Sequence, residues 1–261
     1  IYIKCWIGFL LEMKEQTDVC AVVLAAGKGT RMKSELPKVA TLLQDKPLVC
    51  HVVENLHRAN IHNIIIVVGF KKEVVQSILE PYSGIRFVEQ KEQLGTGHAL
   101  LMAEPELQNF HGNVLVCCGD VPLISGTSFQ KLTEYHIGNK NSVTVLSAEV
   151  NNPTGYGRLF RNGNSLEYIV EEKDANPEEK KITEVNTGTY MFESPSVFQS
   201  LKEIGTNNAQ GEYYLPDLVK IYNRKGSRTG ALKLENSLES TGVNSPEDLQ
   251  YIHNLLEQRK V

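Results

Sequence analysis

One stretch near the start of the chain limits its fold more than any other: Val22-Val23-Leu24-Ala25-Ala26-Gly27-Lys28-Gly29-Thr30-Arg31-Met32, with Pro37-Lys38 just beyond. An apolar, β-rich run that stops at small residues predicts a central parallel strand feeding a loop. Gly27 and Gly29 leave room for a sharp turn or for close approach of a ligand. Backbone N–H groups in such a loop can point at phosphate oxygens. Lys28, Arg31 and Lys38 add positive charge suited to a polyphosphate. Two common phosphate motifs are excluded. The dinucleotide fingerprint needs a third glycine where Met32 stands, and the P-loop needs Ser or Thr where Gly29 follows Lys28.

From this strand onward the chain alternates. Strands are predicted at 19–25, 64–68, 85–89 and 114–118, and helices at 47–59, 71–79, 97–104 and 128–136. Strand–helix alternation implies a Rossmann-like, doubly wound, mostly parallel α/β sheet, whose ligands sit at the carboxyl ends of the strands. The loops at 25–38, 90–97 and 119–123 all follow strands, so the topology lets them share one rim. The second half is different. A strand is predicted at 142–150, a hairpin at 158–170 around Asn162-Gly163, and a polar excursion at 176–181. Next come an alternating strand at 185–192 interrupted by Gly188, helices at 195–204 and 213–223, and a strand at 230–234. Ser245-Pro246-Glu247-Asp248 predicts the start of a closing helix over 246–260. This half reads as a smaller β-rich part. The division expected is a first half over 13–140, a second half over 141–245, and a C-terminal helix over 246–261.

Net charge is −4 and the chain has no long basic run. Neither nucleic acid nor an anionic membrane is therefore an expected partner. The cysteines, Cys5, Cys20, Cys50, Cys117 and Cys118, are odd in number, and all but Cys5 lie in apolar runs. This predicts buried, reduced thiols in a cytoplasmic protein. Residues 1–12 are apolar but too short to span a bilayer, and Met13 is the more natural start; we expect an upstream extension there.

Several side chains have the right chemistry for a site. Asp120 follows a predicted strand in Cys118-Gly119-Asp120-Val121-Pro122, where a carboxylate facing a phosphate loop suits Mg²⁺, which needs few protein ligands. Gln90 offers a donor and an acceptor on one planar amide, matching a pyrimidine edge. Gly95 and Gly97 permit close backbone approach, and Thr96 adds a hydroxyl. His98 reads as a structural residue in a first helical turn rather than as a base. Gly155-Tyr156-Gly157-Arg158, Glu171-Glu172-Lys173-Asp174 and Glu184-Val185-Asn186-Thr187-Gly188 together offer N–H, carboxylate and amide groups suited to sugar hydroxyls and an acetamido group. Asn244 precedes the last helix.

Taken together these strings resemble the uridyltransferase (pyrophosphorylase) domain of the bacterial enzymes that make UDP-N-acetylglucosamine. The matching segments include Leu-Ala-Ala-Gly-Lys-Gly-Thr-Arg-Met, Leu-Pro-Lys-Val, Glu-Gln-Leu-Gly-Thr-Gly-His-Ala, Gly-Asp-Val-Pro-Leu, Asn-Pro-Thr-Gly-Tyr-Gly-Arg, Asn-Thr-Gly and Gly-Val-Asn. They run in family order from about Val22 to Asn244. The resemblance implies transfer of UMP from UTP to N-acetylglucosamine 1-phosphate for cell-envelope precursors. It implies phosphate contacts and catalysis by Arg31 and Lys38, and Mg²⁺ on Asp120 and Asn244. It implies uracil contacts from Leu24, Ala25, Ala26, Gly27, Gln90, Gly95 and Thr96, with Cys118 and Gly119 beside the nucleotide. It implies sugar contacts from Gly157, Glu171 and Asn186, with 13–140 as the nucleotide-binding half and 141–245 as the sugar-binding half. Cys118 stands where the family commonly has an aromatic residue. The bifunctional members continue into an acetyltransferase β-helix, absent from this sequence, so a stand-alone uridyltransferase or a shortened piece of the bifunctional enzyme is expected. A homo-oligomer is left open. The other readings are a sister enzyme with a different sugar or base, and a non-catalytic subunit that binds nucleotide-sugars.

Overall fold

The computed structural model describes residues 18–32, 34–163 and 165–258. The expected extension at 1–12 and the last three residues of the chain lie outside that set. Strand β1 (Val19–Ala25) sits centrally in a mixed sheet of nine strands among the described residues. It pairs in parallel with β4 (Asn63–Val68) on one side and β6 (Asn113–Cys118) on the other, and β5 (Ile85–Glu89) pairs in parallel beyond β4. Beyond β6 comes β10 (Glu184–Glu193), antiparallel, then β7 (Val143–Glu149), antiparallel to β10, then β11 (Thr229–Lys233), parallel to β7. The hairpin β8 (Arg158–Asn162) and β9 (Ser165–Val170) attaches to β10 at the Val185–Arg158 pair.

Alternate residues of β1 point to opposite faces. Cys20 and Val22 enter a core covered by α3 (Thr96–Leu101), α5 (Ser196–Leu201) and α6 (Asp217–Arg224). Ala21, Val23 and Ala25 enter a second core covered by α1 (Leu48–Arg58), α2 (Lys72–Leu79) and α4 (Gly126–Asn139). A sheet buried on both faces explains why the strands read as continuous apolar runs. α1 shows the helical counterpart, with Val49, Val52, Val53 and Leu56 forming its buried face.

The closing helix α7 (Pro246–Gln258) packs Ile252 into a third, small cluster with Met32, Leu43, Leu48 and Val243. It thereby clamps the loop after β1. Its start is capped as expected: Ser245 Oγ accepts from Asp248 N at 3.2 Å, and Asp248 Oδ2 accepts from Asn244 N and Ser245 N at 2.9 Å each.

Several expectations shift. A short hairpin, β2 (Leu42–Leu43) with β3 (Lys46–Pro47), turns on Gln44 and Asp45 at φ 49° and 61°, a left-handed pair with no glycine to announce it. Pro47 therefore closes a strand, and α1 begins one residue later. The helix expected at 213–223 starts only at Asp217, because 213–215 is held against the loop before α3 and the start of that helix: Tyr213 N donates to Leu94 O and Leu215 N to Thr96 Oγ1. β10 carries the expected interruption, its register shifting between Asn186 and Thr189 with Gly188 at φ 76°. Among the described residues no helix is long and apolar enough to cross a membrane.

Candidate active site

Parallel pairing puts the carboxyl ends of β5, β4, β1 and β6 on one rim, so the three loops singled out from sequence meet there. The antiparallel β10 starts where β6 ends, which carries Asn186 and Gly188 to the same rim beside Cys118. Cys118 Sγ lies 3.8 Å from Gly188 O. The open end of the β8–β9 hairpin pairs Arg158 with Val170, so Gly157 and Glu171 face each other one residue further on.

Two cavities share this rim. One, of about 240 Å³, is lined by Leu24, Ala25, Ala26, Gly27, Gln90 and Gly95, among others. The other, of about 410 Å³, is lined by Arg31, Gly157, Glu171, Asn186 and Asn244, among others. Leu24, Thr96, Cys118 and Asp120 border both. Gly119 borders neither; its N–H donates to Leu24 O at 3.0 Å and ties β6 to β1. Lys28 is likewise drawn elsewhere, its Nζ lying 5.3 Å from the centre of the Phe70 ring.

The charged centre lies where the cavities join. Lys38 Nζ makes an ion pair with Asp120 Oδ2 and donates to Asn244 Oδ1 at 2.9 Å. Arg31 donates to the same Asn244 oxygen at 3.3 Å. Lys38 reaches this point because its chain passes over Gly29, where an added Cβ would come within 2.5 Å of Lys38 Cβ at φ +67°. Asn244 is held by Asp248 through the cap described above, and Val243 N donates to Asp120 O at 2.9 Å. The oxygens of Asp120 and Asn244 already share a cation, the Lys38 ammonium, so they form a hard oxygen pair of the kind a small divalent ion takes. Among the described residues no three His, Cys, Asp or Glu side chains are grouped to hold a metal by themselves.

At the far side, Glu171 has its carboxyl pushed up from 4.5 to about 7, mainly by burial, then by Asp174 and Asp217, with Arg158 opposing. Asn186 Nδ2 donates to the Tyr190 hydroxyl at 2.7 Å, and its Oδ1 accepts from Gly188 N at 3.0 Å. One pairing here escaped sequence reasoning. Arg158, 1% exposed, donates to Tyr156 O and, at 2.6 Å, to Glu172 Oε2, which also accepts from Gly155 N at 3.2 Å. This ion pair fixes the 154–157 loop against the end of β9. Of the cysteines, Cys20, Cys50 and Cys117 are buried as expected, but Cys118 opens partly onto the site, with burial and Asp120 pushing its thiol up to about 12.

A family model described as nucleotidyl transferase matches residues 20–242, a span containing every element of this rim up to the loop before α7. The chain belongs to that family. Its similarity is close to the bifunctional protein GlmU of Streptococcus gordonii, 46% identical over 92% of this chain and 52% of the relative. The bifunctional protein GlmU of Streptococcus agalactiae is 48% identical over 86% of this chain and 49% of the relative. The chain spans about half the length of the curated relatives it matches. A crystal structure of UDP-glucose pyrophosphorylase complexed with UDP-glucose superposes with a TM-score of 0.75, at 21% identity, over 93% of this chain and 99% of that one. It shares the nucleotidyl transferase fold.

Proposed function

We propose that this nucleotidyl transferase is a UDP-N-acetylglucosamine diphosphorylase, moving UMP from UTP to N-acetylglucosamine 1-phosphate with release of pyrophosphate. The observation that carries the reading is the junction of the two cavities, where Lys38, Arg31, Asp120 and Asn244 converge. A cavity lined by Gln90 and the β1 loop suits a nucleotide base. A cavity lined by Glu171, Gly157 and Asn186 suits an acetamido sugar. The likeness to the GlmU proteins at 46–48% identity supports this substrate pair over a sister enzyme.

The reaction joins two anions. A sugar 1-phosphate oxygen attacks the α-phosphorus of UTP in line, and the bond to pyrophosphate breaks. The attacking oxygen is already ionised near neutral pH, so the demand on the protein is neutralisation and alignment rather than proton removal. Lys38 and Arg31 would hold the phosphates at the junction. The Asp120 and Asn244 oxygens fit Mg²⁺, which would supply charge neutralisation at the reacting phosphates. Lys38 would then exchange Asp120 for phosphate oxygens. Gln90, Gly95 and Thr96 would orient the base, and Glu171, Asn186 and Gly157 the sugar. On this reading both substrates are soluble small molecules and the net charge is −4, which supports a cytoplasmic enzyme without a nucleic-acid or membrane partner; self-association is open to measurement.

Pyrophosphate release with UTP, N-acetylglucosamine 1-phosphate and Mg²⁺ tests the reading, with glucose 1-phosphate and other nucleoside triphosphates in parallel. Asp120→Ala should lower turnover at least about a hundredfold while circular dichroism stays unchanged. Release with a different substrate pair would change the substrate assignment. Full activity of Asp120→Ala at saturating Mg²⁺ would remove Asp120 from the metal site.

A further inference from the structure

Gln90 is buried, 3% exposed, with its side chain at the wall of the smaller cavity. A primary amide has two faces, one oxygen and one NH₂, and a site that reads a base depends on which faces inward. Here the choice is made by two neighbours. Gln90 Nε2 lies 3.1 Å from Gly95 O, an atom that only accepts, so the group at that position is the NH₂. The same Nε2 lies 3.0 Å from His98 Nδ1. Its second hydrogen is directed there, so Nδ1 carries a lone pair and the imidazole proton sits on Nε2. Both amide hydrogens are then engaged within the protein, and only Oε1 is left to meet a ligand. Helix α3 holds His98 in its first turn, and the Tyr213 ring, 6.4 Å away between centres, flanks it on the side of the 213–215 segment.

We infer that His98 is a positioning residue for base selection: as the Nε2–H tautomer it locks the Gln90 amide with its oxygen toward the nucleotide. The inference rests on the reading of Gln90 as a base contact. An inward oxygen accepts from the N3–H of a uracil-type base. Against cytosine the same oxygen meets the lone pair of N3, so the lock favours uridine over cytidine nucleotides. Gly95 O holds one amide hydrogen on its own, and His98 supplies the second restraint. Removing it weakens the preference without abolishing it.

The test compares kcat/KM for UTP and CTP in wild type, His98→Leu and His98→Asn, the last because Asn Oδ1 stands where Nδ1 stood and can accept again. His98→Leu should lower the UTP-to-CTP ratio about tenfold, chiefly through KM of UTP, and His98→Asn should restore most of it. KM for the sugar 1-phosphate should move in neither. In ¹⁵N-histidine spectra of the ligand-free wild type, the signal lost in His98→Asn should show the Nε2–H tautomer. The Nδ1–H tautomer would overturn the inference whatever the substrate. So would an unchanged UTP-to-CTP ratio in folded His98→Leu, or His98→Asn behaving like His98→Leu. Failure of the functional reading looks different: wild type itself would take CTP as readily as UTP.

Discussion

Replacing Glu171 by Gln removes an ionisation at constant size, and its effect on stability is set by the pocket. The Glu171 carboxyl is raised from 4.5 to about 7 in the folded chain, first by burial and then by Asp174 and Asp217. Below about pH 4.5 the group is protonated folded and unfolded, and it makes no difference to stability. Between about 4.5 and 7 the unfolded chain loses its proton first, so stability falls as pH rises. Above about 7 the folded chain carries the full cost of a charge it disfavours. At about 1.4 kcal/mol per pH unit the whole shift is worth roughly 3 kcal/mol, and screening of the two aspartates reduces it to about 1.5–3 kcal/mol. Glu171→Gln should therefore lie closest to wild type near pH 5 and exceed it most at pH 8, by about 3–10 °C in Tm. Thermal unfolding followed by circular dichroism across pH 5–8 measures this directly. A difference between the two chains that stays constant over that range would refute the reasoning, because it would mean that Glu171 ionises in the folded protein as easily as in the unfolded one. The gain in stability should come with a raised KM for sugar 1-phosphate, as at other sites where function retains a strained group.

Further outcomes follow from the same geometry. Lys38→Ala should lower kcat about a hundredfold with little change in KM for either substrate; steady-state kinetics with wild-type kcat would count against its role at the reacting phosphates. An added Cβ at Gly157 would come 3.1 Å from Glu171 Oε1 and 3.1 Å from Ile169 Cγ2. Gly157→Ala should thus displace the Glu171 carboxylate and raise the sugar 1-phosphate KM about tenfold, with UTP binding by calorimetry unchanged. Glu172→Gln weakens the Arg158 pair that fixes the 154–157 loop. It should raise the same KM about threefold, and an equal rise in the KM of UTP would show that the loop does not act on the sugar side alone.

Much of this arrangement was legible in the chain because it is local. β1 announces itself by its apolar run, and a strand followed by a loop places that loop on the rim whatever the details. Strand–helix alternation accounts for the parallel pairing of β6, β1, β4 and β5, though not for their order. Other features depend on contacts across long separations. Topology placed the loops of Lys38 and Asp120 on one rim, but nothing in the spacing brings Asn244 to them; its place there was implied only by likeness to a family. The antiparallel insertion of β10 between β6 and β7 leaves no mark on its residues beyond Gly188. The Arg158–Glu172 pair was hidden in a segment that reads as a solvated loop, since Glu171-Glu172-Lys173-Asp174 carries no apolar signal. His98 illustrates a different limit. Its place in a first helical turn was readable, but its partner is a side chain on the preceding loop, and a tautomer has no signature in sequence.

The β8–β9 hairpin meets the main sheet at a single register pair, Val185 with Arg158, whereas β6 and β1 are matched along their whole length. The hairpin is held instead by side chains: Leu159, Leu166 and Ile169 are buried in the core that takes Cys20 and Val22 of β1, Asn223 Nδ2 donates to Leu166 O at 2.8 Å, and Arg161 pairs with Glu184. The part of the molecule that would choose the acceptor is thus joined by packing rather than by a ladder, and it shares one core with the strand that feeds the phosphate loop. Grafting a different hairpin to change the acceptor therefore means redesigning the core beneath β1 along with it.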